Sequence, residues 1–239
     1  MIMLIRAIKS KIITPGDNLT KVLLKSLKKT QLKDKDVLVI TSKVVAVTQG
    51  RIKKVTSDQD FRKLVKQEAD KVIGDEIVLL TIKNGICIPW SGIDRSNSKP
   101  GEAILWPEQP FKEAEKICKA LKKHFKIKKL GVLITDSTCL PLRRGVSAVA
   151  LGYAGFKGVE DLRGIKDLYG KPLTVTQQNK ADMLAVSAHM VMGEAAESTP
   201  FALIRGAGVT FTTKKIDPKE PIMSPDQCLY KPLYKKGII

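Results

Sequence analysis

One stretch near the middle of the chain combines residue types that bind cations and phosphates. It carries a carboxylate, two hydroxyls, a strand-breaking proline and two arginines: Asp136, Ser137, Thr138, Pro141, Arg143 and Arg144. These side chains follow an apolar run, residues 130–134, whose branched residues favour the end of a buried β-strand. Oxygen ligands suit divalent cations and paired arginines suit phosphate oxygens, so the stretch predicts a site for both. Taken alone, such a short motif is more often a solvated surface turn.

Two further polar stretches lie upstream and one lies downstream. Ser42 and Lys43 follow a predicted buried strand, where a hydroxyl and an amine can bind phosphate. Asp94 and Asn97 stand three residues apart in a polar loop. Glu194 follows a predicted helix, and a carboxylate there opposes the helix dipole unless a cation compensates it.

The elements that would position these side chains follow from the apolar pattern. Strands are predicted at residues 2–8, 37–40, 44–47, 77–82, 86–88, 130–134, 173–176 and 201–204. Asn84-Gly85 predicts a hairpin between two of them, and residues 98–109 are predicted to be a connector. Glycines in the segment 146–158 predict tight backbone packing. Helices are predicted at residues 19–27, 61–72, 111–125 and 181–192, the last of them apolar nearly all round and therefore buried. Their N-caps are predicted at Asp17 or Asn18, at Ser57 with Asp60, and at Asn179 or Asp182.

This mixture predicts an α+β (mixed α/β) fold of mixed sheets with flanking helices. Residues 1–239 fit one catalytic unit, or two closely packed subdomains, and residues 214–239 read as an irregular C-terminal tail.

The charge balance is strongly basic. Lysine and arginine number 42 against 24 acidic residues, a net charge of +18. This excess favours anionic ligands and raises a nucleic-acid-binding alternative. Zinc-finger spacing and an RNA-recognition aromatic box are both missing and aromatics make up only 5%, so we do not expect nucleic acid as a partner. Much of the excess is in scattered lysine pairs: Lys28-Lys29, Lys53-Lys54, Lys122-Lys123, Lys128-Lys129, Lys214-Lys215 and Lys235-Lys236.

Cysteine usage and hydropathy bear on the compartment. Cys87, Cys118, Cys139 and Cys228 lack metal-knuckle spacing, so we expect free thiols in a reducing compartment. The apolar start is interrupted by Arg6 and is too short for a signal-peptide core, and no apolar run approaches the length of a membrane span. We expect a soluble, cytoplasmic protein.

Four motifs, in their order along the chain, resemble the coenzyme F-420-0:L-glutamate ligase family, whose members are γ-glutamyl ligases. They are Gly92-Ile93-Asp94-Arg95-Ser96-Asn97, then Thr135-Asp136-Ser137 with Arg143-Arg144-Gly145, then Asp167-Leu168-Tyr169-Gly170, then Met192-Gly193-Glu194. The resemblance runs from about residue 10 to residue 206. It implies that family's fold, an intertwined homodimer, and a cleft that binds GTP (or ATP) with Mg²⁺ or Mn²⁺.

The resemblance also implies roles for individual residues. The implied metal ligands are Asp94, Asp136, Ser137 and Glu194, and the implied nucleotide-binding residues are Lys11, Ile12, Ile13, Ser42, Lys43 and Asn97. The implied catalytic residues are Asp136, Arg143 and Arg144, with Arg163 as a further cation for carboxylates and phosphates. In the implied reaction the nucleotide's γ-phosphoryl group moves to an acceptor carboxylate, and the amine of L-glutamate attacks the acyl phosphate.

The chain departs from the F-420 ligases in ways that bear on the acceptor. Where they carry an Asn-Gly-Arg run, this chain has Ser137-Thr138-Cys139-Leu140-Pro141-Leu142, and Val47 stands where they have a lysine. The more apolar run is closer to a bacterial branch interpreted as folate γ-glutamate ligases, and it favours a folate acceptor. F-420-0 is the alternative acceptor, and a non-enzymatic binding protein that kept the fold is the alternative class.

Overall fold

A computed structural model describes residues 2–27 and 32–231. Its strands are β1 (Leu4–Ile8), β2 (Asp36–Thr41), β3 (Ile52–Lys54), β4 (Lys71–Gly74), β5 (Leu80–Lys83), β6 (Ile86–Pro89), β7 (Glu102–Ile104), β8 (Leu130–Cys139), β9 (Val146–Ala154), β10 (Val159–Asp161), β11 (Gln177–Asn179) and β12 (Phe201–Arg205). Its α-helices are α1 (Leu19–Ser26), α2 (Ser42–Thr48), α3 (Asp58–Glu68), α4 (Pro110–Phe125) and α5 (Lys180–Met192). The lysine pairs at 28–29 and 235–236 and the end of the predicted tail, residues 232–239, lie outside the described residues. The predicted mixed α+β fold is confirmed.

A five-stranded sheet in the order β1-β12-β2-β8-β9 forms the centre of the molecule. Only β2 and β8 pair in parallel among these strands, and their pairing ends at Thr41 and Thr135. Beyond that point β8 continues to Cys139, paired with β9 alone. Asp136 therefore lies within β8, and the prediction that the strand ends before it is wrong. The register between β8 and β9 shifts at Thr135, a local irregularity of the kind often found beside functional sites.

Smaller sheets flank the central one. β4, β5 and β6 form a three-stranded sheet, β3 pairs with β7, and β10 pairs with β11. The predicted hairpin between β5 and β6 is confirmed: Asn84 and Gly85 turn the chain with φ values of 51° and 76°.

The predicted helix caps are confirmed at three N-termini. The side chain of Asn18 accepts a hydrogen bond from the Lys21 amide (3.0 Å), and Ser57 accepts one from the Asp60 amide (3.1 Å). Asn179 does the same for the Asp182 amide (3.0 Å). The helix predicted through Val72 is too long, because α3 ends at Glu68 and Val72 belongs to β4.

Three predictions about local structure are wrong. Residues 44–47 form part of α2 rather than a strand, because Ala46 and Val47 are buried against Ile104 and this packing overrides their β-branched pattern. Residues 173–176 form no strand; the pairing segment begins at Gln177, after Pro172 has made only an isolated bridge. The supposed connector at residues 98–109 contains β7.

The core lies on both faces of the central sheet. On one face α1 and α4 supply Leu23, Ile117 and Leu121, and on the other α5 supplies Ala181 and Ala185. A separate apolar cluster lies among residues 55–105. The expected burial of α5 all round is wrong for this chain, because its outer face is exposed at Met183, Val186 and Met190.

The glycine-rich segment packs tightly, as predicted. A Cβ atom on Gly152 would lie 2.5 Å from the backbone nitrogen of Phe111, and one on Gly155 would lie 2.0 Å from the carbonyl oxygen of Leu130. The described part of the tail is irregular apart from a short 3-10 turn at Pro225–Gln227. In the described ranges, every helix is too short or too polar to span a bilayer.

Candidate active site

A cavity of about 430 Å³ opens beside the end of the β2–β8 pairing. It gathers residues from five separate parts of the chain. Among its lining residues are most of those predicted from the sequence: Lys11, Ile12, Ile13, Lys43, Asp94, Asn97, Asp136, Ser137 and Glu194. All the implied metal ligands, and all the implied nucleotide-binding residues except Ser42, therefore line one cavity.

The parallel pair of strands explains how two of these segments meet. Thr41 is paired with Thr135, so Lys43, in the first turn of α2, and Asp136, in β8, lie next to each other at this edge of the sheet. Ser42 does not line the cavity, but its buried hydroxyl donates a hydrogen bond to the Asp136 carboxylate.

Asp94 is held in place by its backbone and by its own loop. It forms an isolated β-bridge with Ile104, and its two carboxylate oxygens accept hydrogen bonds from the amide (2.6 Å) and hydroxyl (2.8 Å) of Ser96. The ammonium of Lys43 lies 2.6 Å from Oδ2 of Asp94. Burial alone would raise the pKa of the Asp94 carboxyl, but the hydrogen bonds from Lys43 and Ser96 outweigh it and hold the pKa below its ordinary value. Asp94 is therefore a carboxylate at neutral pH.

Asp136 has the opposite electrostatic balance. Burial raises the pKa of its carboxyl to about 6, although hydrogen bonds from Trp106, Ser42 and the Ser137 amide act against the shift. The nearby negative charge of Asp94 raises it further. A buried carboxylate next to another carboxylate is stabilised by an added cation, which makes this pair a natural cation site.

Glu194 enters the cavity at the end of α5, where Gly193 turns the chain with a φ of 76°. Its Oε1 lies 2.9 Å from Nδ1 of His189, and Nε2 of that imidazole lies 3.4 Å from the hydroxyl of Thr135. His189 also lines the cavity. The family motifs gave His189 no role.

The segment after Glu194 closes one wall of the cavity. The Ser10 amide donates to the carbonyl of Ser198 (3.1 Å), the Thr41 amide to that of Pro200 (3.0 Å), and the side-chain amide of Asn97 to that of Ala195 (2.9 Å). These bonds tie the three nucleotide-binding segments implied by the family to one another.

Three predicted arginines lie elsewhere. Arg143 and Arg144 are exposed on the connection between β8 and β9 and do not line the cavity. Arg163 is exposed and paired with Asp161, with Nε 2.8 Å from Oδ1. Within one chain, these three side chains therefore do not join Asp94 and Asp136 in the cavity. Their assignment to catalysis and substrate binding stays a prediction.

The donor set around the cavity fits a hard divalent cation completed by other ligands. Across residues 2–27 and 32–231, no group of three His, Cys, Asp or Glu side chains lies close enough to hold a metal by itself. Magnesium usually uses only one or two carboxylates, with water and substrate phosphates supplying the remaining oxygens. Asp94 and Asp136 meet that requirement, with Ser137 and Glu194 on the same cavity wall.

Sequence reasoning missed two side chains that contact the site. Trp106 donates a hydrogen bond to Asp136 from a segment that had been taken for a connector. Ser96 was seen only as part of a motif, although both its donors hold Asp94. The available signal for Trp106 was its type: a buried tryptophan needs a partner for its single N–H group.

Comparison with known proteins agrees with this geometry. The chain belongs to the F420-0:Gamma-glutamyl ligase family, whose model matches residues 7–206, and it is therefore a γ-glutamyl ligase by class.

Three similar curated proteins that share most of the chain are named coenzyme F420:L-glutamate ligase. The chain is 34% identical to the relative from Methanocaldococcus jannaschii over 211 residues, covering 79% of this chain and 84% of that one. It is 31% identical to the relative from Methanopyrus kandleri over 212 residues (81% and 82% of the two chains). It is 32% identical to the relative from Archaeoglobus fulgidus over 216 residues (83% and 85%).

Proposed function

We propose that this chain uses GTP or ATP, with Mg²⁺ or Mn²⁺, to join L-glutamate to a coenzyme F420-type acceptor through an acyl phosphate. The observation that carries the proposal is the convergence of Asp94, Asp136, Lys43 and Glu194 on one cavity beside the parallel strands. Two carboxylates for a cation and one ammonium for phosphate are what a phosphoryl-transfer site requires.

In this proposal the chain binds and orients three anionic groups. Asp94 and Asp136 would hold the divalent cation, which supplies positive charge against the phosphate oxygens of the nucleotide. Lys43 adds a second positive charge, and its position beside Asp94 keeps it at the edge of the proposed phosphate site. The backbone and side-chain bonds of residues 193–200 keep the cavity walls together while the nucleotide is bound.

The reaction proceeds in two balanced steps. An oxygen of the acceptor carboxylate attacks the γ-phosphorus, and the nucleoside diphosphate leaves with the electrons of the broken P–O bond. The amine of L-glutamate then attacks the carbonyl carbon of the acyl phosphate, inorganic phosphate leaves, and the amine loses a proton as the amide forms. Both steps gain from holding the reacting groups in line and away from bulk water.

Two observations support the F420-type acceptor over the folate acceptor favoured by the sequence. The similar curated proteins are named for coenzyme F420. The run that was expected to make a pocket wall apolar instead projects away: Leu140 is half-exposed, Leu142 is fully exposed, and neither lines the cavity. Within one chain, Leu140 and Leu142 therefore form no part of the cavity wall.

The proposal includes a homodimer. The exposed apolar face of α5 supports it, since contiguous apolar surface of this kind marks an interaction site. Arg143, Arg144 and Arg163 keep their proposed task of binding carboxylates and phosphates, in an assembly that brings them to the cavity.

The direct test is product mass. Full-length protein is incubated with L-glutamate, Mg²⁺ or Mn²⁺, GTP or ATP, and either F420-0 or a reduced folate. We expect an added glutamyl group on F420-0, dependent on both nucleotide and cation. Glutamylation of the folate with none of F420-0 would restore the folate acceptor, and no product with either acceptor would contradict the proposal.

A further inference from the structure

Trp106 does not line the cavity but contacts Asp136, one of the proposed cation ligands. It is 2% exposed, and its Nε1 donates a hydrogen bond to Oδ2 of Asp136 at 2.5 Å. An indole has one donor and no acceptor, so this bond is the only conventional hydrogen bond that the side chain can make. Its partner is the carboxylate that also faces the cavity.

The indole is fixed in position by its surroundings. A Cβ atom on Gly92, which has a φ of +68°, would lie 2.1 Å from Nε1 of Trp106, so only glycine leaves room for the ring. The guanidinium Nε of Arg51 donates to the carbonyl of Trp106 (3.2 Å), and Nζ of Lys83 lies 5.9 Å from the centre of the ring. These contacts hold the ring so that its N–H group points at Asp136.

Two cations next to Trp106 are held by one acid. Glu68 Oε2 lies 2.5 Å from Nζ of Lys83 and 2.7 Å from an Arg51 nitrogen. Lys83 is only 7% exposed, which makes this a buried ionic cluster, and the cavity does not include it. Two members of the cluster, Arg51 and Lys83, contact Trp106. The cluster therefore holds Trp106 in place, and Trp106 in turn holds Asp136.

The Trp106 N–H is hydrogen-bonded to Oδ2 of Asp136, so the second oxygen, Oδ1, does not take part in this bond. We propose that Trp106 is a positioning residue that holds the Asp136 carboxylate in one orientation through Oδ2, so that Oδ1 is presented to a divalent cation. This inference rests on the proposed cation-dependent ligase function and extends it to a residue outside the cavity.

The test uses Mn²⁺ binding, which is independent of turnover. Trp106→Phe keeps an aromatic ring and removes the N–H group; Trp90→Phe is the matched control, because Trp90 is the other tryptophan of the chain and packs on Phe61 instead. We expect Trp106→Phe to weaken Mn²⁺ binding by about 10–100-fold, the usual effect of removing an outer partner of a ligand. We expect Trp90→Phe to bind as wild type does. Equal Mn²⁺ affinity in wild type and Trp106→Phe would overturn the inference.

A second measurement leaves Trp106 unchanged. In the Trp90→Phe protein all tryptophan emission comes from Trp106. We expect Mn²⁺ to change that emission, and the change to disappear when Asp136→Asn is added. Trp106 emission that does not respond to bound Mn²⁺ would overturn the inference. This measurement does not need the Trp106→Phe variant and can be made even if that variant does not fold. A different result would contradict the proposed function as well: wild type does not bind Mn²⁺, or it binds Mn²⁺ equally well after Asp136→Asn. In either case Asp136 is not part of a cation site. If Mn²⁺ binding depends on Asp136 but not on Trp106, only the inference about Trp106 fails.

Discussion

The ammonium nitrogen of Lys43 lies 2.6 Å from Oδ2 of Asp94, so Lys43 forms an ion pair with a carboxylate that is proposed as a cation ligand. The same ammonium also contacts the hydroxyl (2.9 Å) and carbonyl (3.1 Å) of Ser96. A divalent cation at Asp94 would compete with Lys43 for the carboxylate. The displaced ammonium would then be available to the phosphates of the nucleotide.

This arrangement predicts opposite effects of Lys43→Met on two ligands. Nucleotide affinity in the presence of Mg²⁺ should fall by about 10–100-fold, the equivalent of one hydrogen bond to a charged group. Affinity for Mn²⁺ alone should not fall, because the variant removes a competitor for Asp94. Calorimetric titration measures both, and Lys54→Met, at an exposed lysine on β3, is the control. A parallel loss of both affinities would show that Lys43 only supports the fold of the loop.

The ionic cluster behind Trp106 predicts a pH-dependent stability. Burial alone would raise the pKa of the Glu68 carboxyl, but Lys83 and Arg51 outweigh it and hold the pKa below its ordinary value. A lowered pKa means that the stabilisation is present above the unfolded-state value of about 4.3 and is lost as pH falls through the lower folded-state value. Glu68→Gln should therefore cost roughly 1–3 kcal/mol at pH 7, because it leaves the buried Lys83 without its partner.

Thermal unfolding followed by circular dichroism checks this prediction. The difference in Tm between wild type and Glu68→Gln should be largest near neutral pH and should shrink below about pH 4. Glu115→Gln, which breaks a surface pair with Lys119, should shift Tm far less at any pH. A pH-independent difference would mean that packing, not charge, links Glu68 to stability.

The exposed side of α5 predicts self-association. Met183, Val186 and Met190 are 52%, 39% and 84% exposed, and their spacing places them on one helix face. Met190→Glu should weaken the proposed homodimer, because a charge would be buried at an apolar interface. Sedimentation velocity at micromolar concentration measures the effect, with Lys112→Glu on the exposed side of α4 as the control. A wild-type protein that sediments as a monomer would refute the dimer.

The sequence predicted best what short-range chemistry determines. The caps at Asn18, Ser57 and Asn179 and the Asn84-Gly85 turn were all predicted, because each depends on residues within one helical turn or hairpin. The convergence of Asp94, Asp136 and Glu194 on one cavity was predicted from the ordered family motifs. No local pattern indicated it.

Contacts between residues far apart in the chain could not be predicted from the sequence. Trp106 and Asp136 are 30 residues apart, and His189 and Thr135 are 54 apart, so no spacing rule connects either pair. Residues 44–47 were predicted as a strand from their branched side chains. Burial against Ile104 instead makes them helical, which is a tertiary effect on a weak local preference.

The central claim is that an acceptor carboxylate is activated by phosphorylation in this cavity. It is tested most directly by labelling both oxygens of that carboxylate with ¹⁸O and analysing the inorganic phosphate released. The account predicts one ¹⁸O atom in each phosphate, only when nucleotide, divalent cation and L-glutamate are all present, and no phosphate from Asp136→Asn. Glutamylated product accompanied by unlabelled phosphate would contradict the acyl phosphate and with it the proposed function of the site.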